Sequence, residues 1–182
     1  MVLSEKIEGL IADVVRCDGD FEVAIETAFG GAMQNVITRT RDDARYLIEY
    51  LKRTRSGQVT FLPIEALRPR LENDQIKSAV RDNGAIGYAI NLVKFDKKFE
   101  NVIHNLLGNT LIVDNIQNAT QIARRYPRAF RIVTLDGDII STTGSMTGGS
   151  KREIAGNLLA NERRIKEIEE GIDTMVSLRQ SL

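Results

Sequence analysis

The segment Gly144–Lys151, with the sequence GSMTGGSK, is the part of the chain whose residue types come nearest to a chemical site. Phosphate-binding loops have the pattern G-x-x-x-x-G-K-[ST], in which the lysine directly follows the last glycine and reaches the terminal phosphates. Here Ser150 separates Gly149 from Lys151. Arg152 stands where the loop needs a hydroxyl for Mg²⁺. A nucleotide-binding enzyme that uses this loop is therefore only an alternative hypothesis, and no cofactor is predicted.

The same glycines favour a different role, which is the close approach of another backbone. Glycine is costly inside a helix or strand, so a cluster such as Gly144, Gly148 and Gly149 marks a place where a side chain would be in the way. A flexible linker fits poorly between a strand and a long helix. The preceding Asp136-Gly137-Asp138 lies between two apolar runs and predicts a hairpin turn. We therefore predict a sheet edge against which a second chain packs.

Other reactive residue types lack the partners that catalysis or metal binding requires. His104 is the single histidine and lies in a predicted helix, which favours a structural or surface role over that of a general base. Cys17 is the single cysteine, which excludes an internal disulfide and is typical of a reducing compartment. Ser145 and Thr147 have no base to activate them. We predict no catalytic residue and no metal site, because turn formation explains the aspartate pairs Asp18, Asp20 and Asp136, Asp138.

The composition is typical of a cytoplasmic protein with no strong overall charge. The 182 residues suit one large or two small domains, and 25 acidic residues balance 25 basic ones. Such a balance argues against a surface built wholly for nucleic acid, although a local basic patch stays possible. No apolar run approaches the length of about 18 residues that a membrane span needs, and no signal peptide is evident.

Two clusters of basic residues could contact phosphates. One is Lys151 with Arg152, which we call the junction pair, and the other contains Lys94, Lys97 and Lys98. Charge runs are often no more than solvated surface, and that alternative stays open. Little aromatic surface accompanies these residues, so a contact with DNA would involve the backbone rather than the bases.

The elements that position these residues occur twice. Residues 9–30 align without gaps onto residues 87–108, with Gly9, Asp18 and Phe21 matched by Gly87, Asp96 and Phe99. Apolar periodicity and turn signals predict two β-α-β-α-β units that arose by duplication, in a mixed α/β fold. The predicted strands are 9–15, 35–38, 59–62, 87–95, 110–114 and 132–135, the predicted helices are 21–29, 42–53, 99–107 and 118–125, and residues 68–84 are predicted to connect the halves.

The last thirty residues change to a heptad pattern. Leu158, Ile165 and Ile172 recur every seven residues, and a second series that includes Met175 lies three or four residues away. This spacing predicts a coiled-coil helix, with an ordinary amphipathic helix against the globular part as the alternative. No partner helix of matching length occurs in the chain, so we expect the sequence to be a fragment from the middle of a longer protein.

Several segments together resemble the hinge domain of structural maintenance of chromosomes (SMC) proteins of the bacterial and archaeal type. They are AIETAFGGAMQNVIT, ARYLIEYLK, GQVTFLPIE, NLLGNTLIVDNIQNA and RIVTLDGDI followed by GSMTGG, spread over residues 7–150. The resemblance implies a dimer formed by pairing edge strands around the glycine-rich segment, on coiled-coil arms that lead to ATPase head domains absent from this chain. The bacterial type favours a homodimer, and pairing with a different chain is the alternative. The residues that match the predicted interface are Gly137, Gly144, Ser145, Met146, Gly148 and Gly149.

The resemblance also implies a role and a set of domain boundaries. The role is chromosome condensation and segregation in the cytoplasm near the nucleoid, with weak, non-specific DNA contact at the junction pair, which is followed here by the acidic Glu153. The boundaries are residues 1–6 for the end of an incoming coiled-coil helix, 7–67 and 85–150 for two hinge subdomains, 68–84 for their connection, and 151–182 for the outgoing coiled-coil helix.

Overall fold

The structure is a computed structural model that describes residues 3–149 and 169–175. It contains two compact units. The described parts of Met1–Asp13, Gln34–Leu67 and Ser150–Leu182 form the first unit, and Val14–Met33 with Arg68–Gly149 form the second. In chain order the strands are β1 Gly9–Leu10, β2 Arg16–Cys17, β3 Val36–Thr38, β4 Phe61–Pro63, β5 Ala85–Tyr88, β6 Val93–Lys94, β7 Thr110–Val113, β8 Arg131–Thr134, β9 Ile139–Ile140 and β10 Met146–Thr147. The α-helices are α1 Ile11–Val14, α2 Glu22–Phe29, α3 Arg41–Thr54, α4 Asp74–Ala79, α5 Glu100–Leu107 and α6 Ile116–Arg125.

The first unit is a three-stranded sheet in the order β1-β3-β4 with α3 packed against it. β1 is antiparallel to β3, whereas β3 and β4 are parallel. α3 begins at Thr40, whose hydroxyl accepts a hydrogen bond of 3.1 Å from the backbone N–H of Asp43, a typical N-cap. The apolar face of α3 supplies Leu47 and Leu51 to a core. The same core contains Leu3 and Met175, which lie far from α3 in the sequence.

The second unit is a five-stranded sheet in the order β10-β9-β8-β7-β5. β7 and β8 are parallel, and the other neighbours are antiparallel. On one face, Leu111, Ile132 and Ile140 pack against residues of α4 and α6. α2 packs against β8 and against α5. β10 is the last strand at one edge, so the glycine-rich segment ends this sheet.

The two predicted repeats are confirmed by the topology. β1, β3 and β4 have the same pairing directions as β5, β7 and β8. Gly9 and its repeat counterpart Gly87 have nearly identical φ angles of 158° and 159°. The counterparts β2 and β6 pair with each other in a separate two-stranded sheet. The mixed α/β class is therefore correct, and a small duplicated sheet is its building block.

Three predictions of local structure are wrong. Residues 9–15 and 87–95 were each expected to be one strand, but a helical turn interrupts each of them, at Ile11–Val14 and at Ala89–Leu92. Their apolar residues fit a helical turn as well as a strand, and short runs do not separate the two periods. Within the predicted connection 68–84, the structure contains α4, which begins at the capping residue Asn73.

The compact units divide the chain differently from the predicted boundaries. Val14–Met33, expected in the first subdomain, packs with Arg68–Gly149 in the second unit. Leu3–Lys6 forms a 3₁₀ turn. Of the predicted outgoing helix, residues 169–175 are helical, and the rest of 151–182 lies outside the described residues.

Within residues 3–149 and 169–175, no helix combines the length and the low polarity that would let it cross a bilayer.

Candidate functional site

Two successive hairpins of the same type build the glycine-rich edge. In the first, between β8 and β9, the Gly137 N–H donates to the Thr134 carbonyl at 3.0 Å, and Gly137 has a φ of 90°. In the second, between β9 and β10, the Gly144 N–H donates to the Ser141 carbonyl at 3.0 Å, and Gly144 has a φ of 96°. Each is a three-residue loop that needs a left-handed residue in third place, which glycine supplies. The turn predicted at Asp136-Gly137-Asp138 is confirmed.

Hydroxyl groups brace the second hairpin. The Ser141 hydroxyl lies 2.7 Å from that of Thr143 and 2.7 Å from that of Ser145. The Ser141 N–H donates to the Ser145 carbonyl at 2.9 Å. These contacts hold the predicted site residue Ser145 within its own hairpin, so its side chain serves to fix the direction in which β10 leaves the turn.

The backbone of β10 presents unused hydrogen-bonding groups at the sheet edge. Because Ser141 and Ser145 are hydrogen-bonded to each other and such pairs alternate along an antiparallel ladder, Met146 is opposite Ile140 in a pair without hydrogen bonds. The N–H and C=O of Met146 therefore point away from β9, and by the same alternation so do those of Gly148. The Met146 side chain is 56% exposed. This edge is ready to accept another strand.

Gly137, Gly144 and Gly148 of the predicted interface differ in what a side chain at each position would meet. A Cβ on Gly148 would collide with the Asp138 carboxylate, so this glycine lets Asp138 lie directly across the strand pair. A Cβ on Gly137 would lie 3.0 Å from the Thr27 hydroxyl in α2. Gly137 thus serves packing within its own chain. Gly144 has nothing within 4 Å of such a Cβ, and only its backbone angle requires glycine.

A second open edge, which the sequence analysis missed, lies at β4 in the first unit. The Val36 N–H donates to the Thr60 carbonyl at 3.0 Å, so the backbone groups of Thr60 and Leu62 are directed toward β3. The backbone groups of the alternate residues, Phe61 and Pro63, are directed away from the sheet. The repeat counterpart of β4 is β8, which has β9 on this side, whereas no strand among the described residues covers β4. Pro63 has no N–H to offer, which suits an edge position.

An apolar groove runs beside this β4 edge. Phe61 and Pro63 form one side of it, and α3 forms the other with Ile48, which is 40% exposed. Charged side chains surround the groove, from Arg41, Arg45, Glu49 and Lys52. An exposed isoleucine beside an open strand edge favours a docking surface, because the edge supplies hydrogen bonds and the groove supplies apolar contact.

The lysine cluster gains an arginine in the folded chain. Lys94 in β6 is directly opposite Arg16 in β2, and both side chains are exposed. We call Arg16, Lys94, Lys97 and Lys98 the basic ribbon. Like charges directly opposite each other are unfavourable unless an anion lies near them. In the repeat alignment Arg16 is the counterpart of Lys94, which could have indicated that the two basic residues lie close together. The sequence analysis did not include Arg16 in the cluster. The junction pair Lys151 and Arg152 lies outside the described residues.

The side chains considered for catalysis are not arranged for it. His104 has its Nε2 4.0 Å from the Glu100 carboxylate and its ring edge-on to Phe95. The pKa of the Cys17 thiol is raised, first by burial and then by the carboxylate of Glu22, so the thiol stays protonated and unreactive near neutral pH. Among the residues that the structure describes, no cluster of three or more His, Cys, Asp or Glu side chains could hold a metal ion.

The segment considered as a phosphate loop adopts a different structure in its described part. A phosphate loop passes from a strand directly into the N-terminus of a helix, with its N–H groups turned inward around the phosphates. Residues 144–147 instead close a hairpin and form the edge strand β10. Ser150 and Lys151 lie outside the described part of the chain. The geometry favours strand addition over nucleotide binding.

Comparisons with known proteins agree with this geometry. Residues 4–123 match the family model of the SMC proteins flexible hinge domain. The "Chromosome partition protein Smc" of Halothermothrix orenii is 39% identical over 166 residues, which are 91% of this chain and 14% of that protein. The protein of the same name from Bacillus subtilis is 36% identical over 163 residues, which are 89% of this chain and 14% of that protein. The chain thus spans about one seventh of the length of these relatives.

Solved structures show the same fold. An asymmetric dimer of the Geobacillus stearothermophilus SMC hinge domain has a TM-score of 0.77 at 32% identity, and the match covers 96% of this chain and 72% of that one. The Pyrococcus furiosus SMC hinge domain has a TM-score of 0.67 at 30% identity, with coverage of 79% and 72%. The family model covers residues 4–123, which is more than half of the chain. This chain therefore belongs to the flexible hinge domain family of SMC proteins.

Proposed function

We propose that the chain is a dimerisation module in which β10 of one copy adds to β4 of a second copy. The observation that carries the proposal is that β10 and β4 are both edge strands of the described sheets, and each has hydrogen-bonding groups that face outward and are unused within the described residues. The hinge domain of Geobacillus stearothermophilus, which has this fold, was crystallised as a dimer. The addition joins the five-stranded sheet of one copy to the three-stranded sheet of the other.

Symmetry limits how far this association grows. Each copy offers one β10 edge and accepts one at β4, so in the proposed dimer two copies related by a two-fold axis make two equal contacts and use both β10 edges and both β4 edges. Two contacts also make a dimer much tighter than one contact would, because the second forms within an existing complex. We therefore propose a closed homodimer rather than an open chain of copies.

The direction of the added strand follows from where the apolar side chains lie. The parallel pairs β3/β4 and β7/β8 are each joined by a helix, α3 and α6, and such connections are right-handed. The two helices therefore lie on the same face of the joined sheet only when β10 is antiparallel to β4. Met146 shares the α6 face, since it is opposite Ile140 of that core. Phe61 shares the α3 face, because it lines the groove beside that helix. Antiparallel addition with Met146 opposite Phe61 thus covers the exposed Met146 side chain and the half-buried Phe61 side chain.

A crosslink tests this arrangement directly. The native Cys17 is first replaced with serine, and Met146→Cys and Phe61→Cys are then combined in one chain. Opposed residues of an antiparallel pair have Cα atoms about 5.5 Å apart, which a disulfide can span. Oxidation should give a covalent dimer, whereas each single cysteine variant alone should not. Sedimentation equilibrium of the unmodified chain should give about twice the monomer mass of 20.3 kDa. A monomer at tens of micromolar would refute the proposal.

We infer that the chain serves as the hinge of a longer chromosome-partition protein in the cytoplasm. The names of its relatives support this role, and residues 151–182 would continue into the coiled-coil arm that leads to ATPase heads elsewhere in that protein. The hinge itself catalyses no reaction in this proposal. DNA contact at the basic ribbon and the junction pair would be weak and independent of sequence, because these side chains offer charge without base readout.

A further inference from the structure

Arg131 is a half-buried arginine that has no acidic partner within residues 3–149 and 169–175. It is the first residue of β8 and is paired in register with Thr110, the first residue of β7. Its Nε and Nη2 atoms donate to the Thr110 hydroxyl at 3.2 and 2.9 Å, and Thr110 is buried. A guanidinium has five N–H donors, and these two bonds use only two of them. No carboxylate or carbonyl among the described residues accepts the others.

A second arginine, Arg70, adds positive charge beside Arg131. A Cβ on Gly108 would lie 3.0 Å from the Arg70 Cβ, and the Arg131 N–H donates to the carbonyl of the next residue, Asn109, at 3.0 Å. Burial and then the charge of Arg70 both lower the pKa of Arg131 from its ordinary value. Arg70 forms no ion pair within the described residues. Like charges held together in a partly desolvated place are unfavourable unless an anion is present.

The backbone around Arg70 is built to keep it there. The Arg70 N–H donates to the His104 carbonyl at 3.4 Å, close to the end of α5. A Cβ on Gly108 would lie 2.6 Å from the Arg70 carbonyl oxygen and 3.0 Å from the Arg70 Cβ. Glycine at position 108 therefore lets the segment that carries Arg70 pack directly against the end of α5. On the other side, the Thr110 hydroxyl fixes the plane of the Arg131 guanidinium.

We propose that Arg70 and Arg131 form a phosphate-binding site in the second unit. Planar guanidinium groups bind the oxygens of a tetrahedral phosphate through paired N–H donors, and a guanidinium already oriented by a neighbour loses less entropy when it does so. The shared chemistry is a phosphate group, whether from a free phosphate compound or from the phosphodiester backbone of a nucleic acid. The site is separate in residues from the basic ribbon and from both strand edges.

Inorganic phosphate is the first probe, added to the unmodified chain at constant ionic strength against chloride. The Arg131 Nε–H resonance should shift in a saturable way, and Arg70→Gln should weaken the phosphate affinity about tenfold, which is the effect expected for one charged hydrogen-bonding partner. Arg124→Gln is the matched control, because Arg124 is an exposed arginine of the same unit, and its affinity should equal that of the unmodified chain. Arg131→Lys keeps the charge but loses the planar fork of donors, so calorimetry should show weaker phosphate binding by this variant as well.

A short DNA duplex separates the two sources of phosphate. If the phosphodiester backbone is the ligand, the duplex should displace phosphate from the Arg131 signal, and Arg70→Gln should weaken duplex binding while Arg124→Gln does not. If the ligand is a free phosphate compound, phosphate should bind and the duplex should not compete. No saturable shift with either probe, or equal affinities in Arg70→Gln and the unmodified chain, would overturn the proposal. Arg70 is exposed, so circular dichroism of Arg70→Gln should confirm an intact fold.

Discussion

Replacing Met146 with proline should separate the dimer without unfolding the hairpin. Proline removes a backbone N–H and fixes φ at a value that strands tolerate at an edge. Because the Met146 N–H points away from β9, the ladder between β9 and β10 keeps its hydrogen bonds. In the proposed dimer this N–H donates to a carbonyl of the partner copy's β4, so the substitution acts only between copies.

The size of the effect follows from the number of contacts. One lost hydrogen bond costs about 0.5–1.5 kcal/mol, and leaving the opposite carbonyl without a partner raises this to about 1–3 kcal/mol. The two-fold arrangement contains two such contacts, so the dimer should lose about 2–6 kcal/mol. That corresponds to a dissociation constant higher by a factor of about thirty to twenty thousand.

Sedimentation velocity over a range of concentrations measures this constant. Met146→Leu is the matched control, since it keeps both the N–H and an apolar side chain and should sediment like the unmodified chain. Circular dichroism of Met146→Pro should match that of a folded monomer. The same dissociation constant in Met146→Pro and Met146→Leu would refute the reasoning, because it would show that this edge makes no contact between copies.

Three further outcomes are expected. Gly148→Ala should lower the free energy of unfolding by about 1 kcal/mol, because its Cβ displaces the Asp138 carboxylate from the Thr134 hydroxyl. Urea unfolding measures this loss, and an equal loss in an Asp138→Ala background would contradict the explanation. Glutamate at the three lysines of the basic ribbon should weaken binding of a labelled DNA duplex and reduce its salt dependence, whereas undiminished anisotropy would move the contact to the junction pair. Iodoacetamide should alkylate Cys17 more slowly than free cysteine at pH 8, since burial and the Glu22 carboxylate raise the thiol pKa and lower the thiolate fraction. Glu22→Gln should speed the alkylation, and an unchanged rate would exclude this carboxylate as a cause of the raised pKa.

Local signals in the sequence were sufficient where a residue type has one conformational use. Gly137 and Gly144 each close a hairpin in a left-handed conformation, and the Asp-Gly turn was predicted on that ground. The repeat predicted the topology because two copies of a pattern constrain each other. α4 was missed because its six residues carry only two buried side chains, Ile76 and Ala79, too few to show a period.

The parts of the site that were missed depend on neighbours far away in the chain. Nothing in the residues of β4 shows that the strand has an open side, because that depends on which strand lies next to it. Arg16 joins the lysines only through the pairing of β2 with β6. Arg70 approaches Arg131 only because Gly108 admits its backbone. Edge status and charge proximity are tertiary properties, which periodicity along one chain does not contain.

The core that contains Leu3, Leu47, Leu51 and Met175 has a consequence for how the protein is made. A ribosome releases Leu3 long before Met175, so this core cannot be completed until residues 3–175 have all emerged. The second unit likewise waits for residues on both sides of β3 and β4, since Val14–Met33 packs with Arg68–Gly149. Contacts between such distant residues slow folding, because a long loop must close before any of them forms. We expect the nascent chain to expose apolar surface while residues 3–175 are being synthesised and to need protection from aggregation during that time.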